Sequence, residues 1–156
     1  MKGFKLFFIF FILSFYSFGA GIMDSCAIYH GWLFVGDAEF GTMHKAISNR
    51  IIGFFVVPLL ISTICNVFLF WYRPALLSKK LLWMAFACQM VVWLSSAFIQ
   101  IPIQFQLDKG KDMALLNRLL TTDWIRIVAY AANISVIAKM GWQLWQAYCK
   151  PGKVVI

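Results

Sequence analysis

Four long apolar stretches, separated by short charged segments, occupy almost all of the 156 residues of this chain. Three of them contain no Asp, Glu, Lys or Arg: Leu6–Met23, Ile51–Tyr72 and Leu81–Leu107. The fourth continues from Ile127 to Tyr148, and only Lys139 interrupts it with a charge. Because an α-helix rises about 1.5 Å per residue, about 20 apolar residues cross the hydrocarbon core of a bilayer. Each stretch is therefore predicted to span a membrane as a helix.

The composition supports this interpretation. Hydrophobic residues make up 62% of the chain and charged residues 13%, a balance that is too apolar for a soluble domain. We predict an all-α integral membrane fold, a four-transmembrane-helix bundle, in which residues 1–156 form a single membrane domain. The spans are predicted at about residues 6–29, 47–72, 81–106 and 120–148.

The net charge of +8 is distributed asymmetrically along the chain. The connections on one side hold basic residues without any acidic residue: Lys2, Lys5, Arg73, Lys79, Lys80, Lys150 and Lys153. All six acidic residues fall in the connections of the other side: Asp24, Asp37, Glu39, Asp108, Asp112 and Asp123. By the positive-inside rule both termini are predicted to be cytoplasmic, in a multi-pass protein of the cell inner membrane. The surplus charge is a topology signal, so no nucleic-acid partner is predicted.

The first stretch also resembles a secretory signal peptide, because Lys2 and Lys5 precede a Phe-rich run that ends in small residues. Its length favours a retained helix. Of the four cysteines only Cys26 falls near the outer face, and the chain has no Cys-x-x-Cys pair. Neither an intramolecular disulfide on the outer side nor thiol-based redox or zinc chemistry is therefore predicted.

The densest polar segment lies at the start of the fourth span, from Asn117 to Arg126. On a helix Arg118, Thr122 and Arg126 recur every fourth residue, and the spacing predicts a polar stripe that continues to Tyr130. Asp123 precedes Arg126 by three residues and can neutralise it. The alternative is an ordinary interfacial helix end, with the acid favoured by the positive end of the helix dipole and the arginines reaching lipid phosphates.

Two amides, Gln100 and Gln104, lie one turn apart near the outer end of the third span, with Pro102 between them. Amides within an apolar span need partners, so we expect them to face the fourth helix and its Asp123–Arg126 pair. The alternative is that they only hold two helices together, as glutamine often does in membranes.

The two histidines, His30 and His44, fall on the same side of the membrane as Asp24 and Glu39. Their spacing matches neither a zinc-protease motif nor the Glu-x-x-His of di-iron bundles, so no metal site is predicted. The spacing favours His44 as a hydrogen-bonding or proton-transferring group. No cofactor is assigned from the sequence.

Two runs of residues resemble the small four-helix membrane proteins grouped with the anthrone oxygenases. The first half of that family is matched by Tyr29-His30-x-Trp32-x-x-Val35-Gly36-x-x-Glu39-Phe40-x-x-x-His44, with Arg50-Ile51 and Pro58 further on. The second half is matched by Gln100-Ile-Pro102-x-Gln104-x-x-Leu107 and by Asn117-x-x-x-Thr121-x-Asp123-Trp124-Ile125-Arg126. The resemblance covers nearly the whole chain and implies a four-helix fold with a shared polar site.

This chain departs from the family pattern at three places. His30 stands where the family has proline, Gln104 where it has histidine, and Asp123 where it has asparagine. An amide does not titrate, so Gln104 cannot replace a histidine as a base. The resemblance therefore implies the fold more directly than the oxygenase activity.

Together these residues predict a polar pocket on the extracytoplasmic side that binds or transforms a small lipophilic molecule, aromatic or quinone-like. The candidate catalytic groups are His44 or Asp123 for proton transfer and Arg126 for holding an oxyanion. The candidate ligand-binding residues are Asp24, His30, Glu39, Gln100, Gln104, Asn117, Arg118, Thr122 and Trp124. If these groups converge, His44, Gln104 and Arg126 should line one cavity.

The sequence leaves a second class of function open, and it does not decide whether the protein is an enzyme. In the alternative the chain is a non-enzymatic subunit of a membrane complex, or a component of an oligomeric pore or transporter. The predicted partners are then the lipid bilayer and either further copies of this chain or other membrane proteins.

Overall fold

The structure is a computed structural model that describes residues 2–149. Helices make up 91% of it, and the described residues contain no strand. The first helix, residues 2–34, consists of an α-helix Lys2–Met23, a π-helical turn Asp24–Ile28, a short α-helix Tyr29–Gly31 and a 3₁₀ turn Trp32–Phe34. The second helix, residues 37–72, joins Asp37–Ile51, a π turn Ile52–Val56 and Val57–Tyr72. The third, residues 79–107, joins Lys79–Ser95, a π turn Ser96–Gln100 and Ile101–Leu107. The fourth is an uninterrupted α-helix, Met113–Cys149.

Three of these helices are long and apolar enough to cross a membrane: Gly3–Phe34, Asp37–Tyr72 and Lys79–Leu107. The fourth helix has 37 residues, and it carries charges at Arg118, Asp123, Arg126 and Lys139 that make it less apolar. Residues 35–36 and 73–78 lie between helices and form two of the connections.

The four helices pack side by side in a ring. The first helix lies along the second and the fourth, and the third lies along the second and the fourth. The connection after Arg73 stays tight because the guanidinium group donates hydrogen bonds to the carbonyl oxygens of Ala75 and Leu77. Antiparallel neighbours with short connections are the simplest way to bury the apolar face of each helix.

The two ends of the molecule differ in charge. All six acidic residues lie in the half that contains the 34–37 and 107–113 connections, which we call the acidic end. The opposite half, the basic end, holds Lys5, Arg73, Lys79 and Lys80. Lys150 and Lys153, which contribute to the predicted charge asymmetry, lie outside the described residues.

The interior changes character from one end to the other. At the basic end it is apolar, with Phe10, Leu69, Leu82 and Met140 fully buried against one another. Near the middle a buried polar cluster joins three helices: Ser14 Oγ lies 2.8 Å from Ser62 Oγ, Gln89 donates to Ser62 at 3.3 Å, and Asn66 donates to Gln89 at 3.1 Å. Towards the acidic end the interior becomes charged.

The π turn in the first helix shifts its buried face by one position. Below the turn the buried residues follow a repeat of three and four residues: Phe7, Phe10, Ser14, Ser17, Gly21 and Asp24. The wider π turn buries Ser25 as well, and the repeat then continues through Tyr29 and Trp32. Single π turns of this kind are frequent at functional sites, because they redirect side chains without ending the helix.

Candidate functional site

Arg126 is the centre of a buried charged cluster towards the acidic end. Its guanidinium Nε donates to Asp123 Oδ1 at 2.6 Å, and Nη2 lies 2.5 Å from the same oxygen. Nη2 also lies 3.5 Å from Asp24 Oδ2 on the first helix. Arg126 is 4% exposed, Asp123 is 2% exposed and Asp24 is 3% exposed. Two carboxylates and one guanidinium leave a formal charge of about −1 in a site with little water, so each partner depends on the others.

A chain of hydrogen bonds connects this cluster to the surface of the acidic end. Arg126 Nη2 donates to the Tyr29 hydroxyl at 3.0 Å, and Gln104 Nε2 lies 3.1 Å from the same oxygen. Gln104 Oε1 lies 2.7 Å from His44 Nε2, and His44 Nδ1 lies 2.8 Å from Asp108 Oδ1. The hydrogen-bond chain therefore includes one residue from each of the four helices, and it runs from the buried arginine to the Asp108 carboxylate, which is 26% exposed.

Aromatic rings hold the middle of this chain in place. Tyr29 stacks on Trp32 with 5.0 Å between ring centroids, and Trp32 lies 4.5 Å from the His44 ring. Phe40, one turn before His44, stacks on the imidazole with 5.4 Å between ring centroids. The Arg126 guanidinium lies 5.4 Å from the centroid of the Tyr29 ring. These rings exclude water, so the hydrogen bonds keep the strength of a low-dielectric setting.

The prediction that Asp123 pairs with Arg126 is confirmed, and so is the approach of His44 to Gln104. His44, Gln104 and Arg126 were expected to line one cavity, but they are instead joined by direct hydrogen bonds with Tyr29 between Gln104 and Arg126. Direct contact satisfies polar groups in an apolar interior without a bound ligand, which is the physical reason for the close packing.

The predicted polar stripe on the fourth helix is wrong in its upper part. Arg118 is exposed, and Thr122 is half-buried with its hydroxyl donating to the backbone of its own helix at 2.8 Å. The buried face instead repeats every three and four residues: Leu116, Leu119, Asp123, Arg126, Tyr130, Asn133, Ile137, Met140 and Leu144. Positions four apart drift about 40° per step around a helix of 3.6 residues per turn. Only the lower half of the stripe, Arg126 and Tyr130, therefore faces the interior.

Gln100 was expected to face the Asp123–Arg126 pair, and the structure gives it a different partner. Its Oε1 accepts a hydrogen bond from Ser95 within the same helix at 3.1 Å, and its Nε2 is buried without a partner among the described residues. Gln104 does turn towards the pair, but it reaches Arg126 through Tyr29. Gln100 is the last residue of the π turn Ser96–Gln100, and Gln104 lies in the α-helical segment that follows it.

A groove of about 280 Å³ opens beside the charged cluster, between the first and fourth helices. Its polar lining comes from Ser25, His30, Thr121 and Asp123, and Cys26 contributes a free thiol. Its apolar walls are Leu120, Trp124 and Ile127. The Ser25 hydroxyl is buried and has no hydrogen-bond partner among the described residues, although a buried hydroxyl normally finds one.

His30 forms one edge of this groove. Its Nδ1 lies 3.1 Å from the carbonyl oxygen of Ser25. A carbonyl oxygen can only accept, so Nδ1 carries the proton and Nε2 is left for a further partner. Trp124 is 64% exposed on the opposite wall. The groove thus combines a flat aromatic wall with four groups that can form hydrogen bonds: Ser25, His30, Thr121 and Asp123.

The remaining predicted site residues lie outside the cluster. Glu39, Asn117 and Arg118 are exposed at the acidic end. Of the three proposed catalytic groups only Asp123 lines the groove, because His44 and Arg126 point into the interior. Across residues 2–149 the structure contains no group of three or more His, Cys, Asp or Glu side chains placed to hold a metal ion.

Three residues of the site were not predicted from the sequence. Tyr29 bridges Gln104 and Arg126, Asp108 pairs with His44, and Lys111 donates to the carbonyl oxygens of Leu33 and Val35 at 3.0 and 2.6 Å. Asp108 directly follows an apolar stretch, where a carboxylate usually faces water. Tyr29 opens the run that resembles the anthrone oxygenases, but helical periodicity does not place it in the site, because its position depends on the π turn that precedes it.

Comparisons with models of protein families, with curated proteins and with solved structures found no match.

Proposed function

We propose that this chain is a four-span protein of the cell inner membrane with both termini in the cytoplasm. The charge asymmetry supports this orientation, because the basic end carries Lys5, Arg73, Lys79 and Lys80 and the acidic end all six acids. The 37 residues of the fourth helix exceed the length that a bilayer requires. Its Asp123 and Arg126 neutralise each other in the interior, which lowers the cost of placing them in a membrane.

Within that topology we propose a binding site, on the extracytoplasmic side, for a small lipophilic aromatic molecule with hydroxyl or carbonyl groups, such as a quinone-like compound. The observation that carries the proposal is the groove beside Asp123, in which the buried Ser25 hydroxyl lacks a partner. Its volume of about 280 Å³ suits a head group of one or two rings. Trp124 can stack on the ring, while Ser25 donates to a carbonyl and Asp123 or His30 accepts from a hydroxyl.

If the bound molecule is also transformed, Asp123 is the group best placed to take its proton, since it lines the groove. Arg126 would then act through Asp123, to which it donates, and His44 through Gln104 and Tyr29. The relation to the anthrone oxygenases is part of this proposal and rests on the sequence resemblance alone.

A binding titration tests the proposal. Purified protein in detergent is titrated with 1,4-naphthoquinone and its quinol, and binding is followed by quenching of tryptophan fluorescence. We expect saturable binding that weakens about three- to tenfold in Ser25→Ala, the loss of one hydrogen bond, and that also weakens in Trp124→Leu. Trp142→Leu is the matched control, because that exposed tryptophan lies near the basic end. Equal affinity in all variants would contradict the proposed site.

A specific observation favours the alternative function, a non-enzymatic subunit of a membrane complex or an oligomeric pore. The hydrogen-bond chain from Asp108 to Arg126 pairs its members directly, as polar packing between helices requires. The apolar interior at the basic end supports no channel along the axis of a single chain. Native mass spectrometry separates the two functions: a co-purified lipophile supports the binding site, and a defined oligomer without one supports the subunit.

A further inference from the structure

Both ring nitrogens of His44 lie against hydrogen-bond acceptors, which a neutral imidazole cannot satisfy. Nδ1 lies 2.8 Å from Asp108 Oδ1, and Nε2 lies 2.7 Å from Gln104 Oε1. A neutral histidine has one N–H, and an ionised carboxylate can only accept. In this arrangement the His44–Asp108 pair therefore holds one extra proton, as imidazolium facing carboxylate or as imidazole facing a protonated carboxyl group.

A second arrangement fits the same positions of the heavy atoms. A half-turn of the Gln104 amide exchanges its oxygen and nitrogen, which are almost equal in size. The amide NH₂ then donates to Nε2 of a neutral His44, while Nδ1–H donates to the Asp108 carboxylate. The pair holds one proton fewer, and every hydrogen bond of the chain again joins a donor to an acceptor.

The two arrangements differ at the other end of Gln104 as well. In the first, the Tyr29 oxygen accepts from both Gln104 Nε2 and Arg126 Nη2, so its own proton must be donated elsewhere. In the second, Tyr29 donates its own proton to Gln104 Oε1.

We infer that Gln104 is a positioning residue with two orientations, through which the gain of a proton by the His44–Asp108 pair is communicated to Tyr29. No proton crosses the amide; the direction of its two hydrogen bonds reverses. The proton enters from water at Asp108, which lines a recess of about 460 Å³ at the surface. Gln104 thereby links the exposed end of the hydrogen-bond chain, at Asp108, to the charged cluster beside the groove.

Few charged groups near His44 could connect its protonation to Tyr29 in place of Gln104. Gln104 of the third helix and Asp108, just after that helix, face its two nitrogens, and the rings of Trp32 and Phe40 pack against it. The charged side chains around Asp108 lie in the recess or next to it: Asp37, Lys45, Lys109 and Lys111. Towards the interior Tyr29 stands between Gln104 and the charges of Arg126, Asp24 and Asp123.

Selective labelling tests the inference on the protein without a ligand, so the result does not depend on the proposed groove. The chain has only two histidines and five tyrosines, and NMR of protein with ¹⁵N-histidine and ¹³Cζ-tyrosine gives few signals. His30→Asn and Tyr29→Phe assign them. As pH is varied through the range in which histidine titrates, we expect the Tyr29 signal to shift with the same midpoint as the His44 signals.

Two variants of similar size separate the link from general effects of pH. In Gln104→Met the His44 signals should still titrate, and the Tyr29 signal should stop following them. Gln100→Met is the matched control, because that buried glutamine bonds only within its own helix, and it should behave like the wild type. Gln104→Glu, which has no N–H to donate, serves if the methionine variant does not fold. Any one of three results overturns the inference. The first is a Tyr29 signal that does not follow the His44 signals in the wild type, and the second is a His44 that does not titrate while the protein is folded. The third is a Tyr29 signal that still follows His44 in Gln104→Met.

Discussion

Arg126 is the residue on which the charged cluster depends. It is the single cation between two buried carboxylates, those of Asp123 and Asp24, and it also donates to Tyr29. Removing a cation from such a site leaves two like charges in a medium of low dielectric constant, whereas removing one carboxylate leaves the cation with the other. The three side chains are therefore not equivalent.

At the residue scale we predict that Arg126→Gln lowers the free energy of unfolding in detergent by about 3–5 kcal/mol, the cost of breaking a buried ion pair. Asp123→Asn should cost less, because Asp24 still neutralises Arg126. The double variant should be less destabilised than the sum of both losses, since the cluster acts as a unit.

Arg118→Gln is the control for that comparison, because Arg118 lies on the same helix and is exposed. Its effect should stay within about 0.5 kcal/mol. Thermal unfolding in detergent measures all four variants, and strict additivity of the Asp123 and Arg126 effects would contradict the pairing.

At the scale of the elements, the first and fourth helices approach each other closely at Gly21. A Cβ atom at Gly21 would lie 2.8 Å from Cε2 and 3.0 Å from Cζ of the Tyr130 ring. Gly21 belongs to the buried face that leads to Asp24, one turn further along. The contact thus sets the distance over which Asp24 reaches the Arg126 guanidinium on the opposite helix.

We predict that Gly21→Ala destabilises the protein by about 1–3 kcal/mol through overpacking against Tyr130, although alanine favours a helix. Gly19→Ala is the matched control: a Cβ there meets nothing within 4 Å, so its stability should be equal or higher. The measurement is again thermal unfolding in detergent. Equal effects of both substitutions would show that the helices are further apart than the structure places them.

At the scale of the whole molecule, the unequal charge of the two ends predicts the orientation in the membrane. One end carries basic residues and no acid, whereas the six acids of the other end are balanced by six basic residues. The chain offers one exposed cysteine near each end, Cys26 towards the acidic end and Cys149 at the basic end. Cys65 is buried and Cys88 is half-buried, so both are poor targets for a reagent in water.

We predict that a maleimide that cannot cross membranes labels Cys26 in intact cells and labels Cys149 only after permeabilisation. The reason is that the positive-inside rule predicts a cytoplasmic location for the basic end, which carries Cys149. Cys26→Ser and Cys149→Ser identify the labelled site. Labelling of Cys149 in sealed cells would show that the proposed orientation is wrong.

The sequence predicted the helices because an apolar segment in a bilayer must satisfy its backbone hydrogen bonds internally. It also predicted contacts within one helix, such as Asp123 with Arg126, because three residues along a helix fix the geometry. The charge difference between the ends is likewise a property of the order of residues along the chain.

Only the tertiary structure decided which distant side chains meet. Asp24 and Arg126 are 102 residues apart and His44 and Asp108 are 64 apart, so their contacts depend on how the helices pack. Two details of packing were decisive. The repeat of the buried face, close to 3.5 residues, turned Arg118 outwards, and the π turn after Met23 brought Tyr29 inwards. Periodicity in a sequence assumes a regular helix, and a single wider turn moves every later residue to a new face.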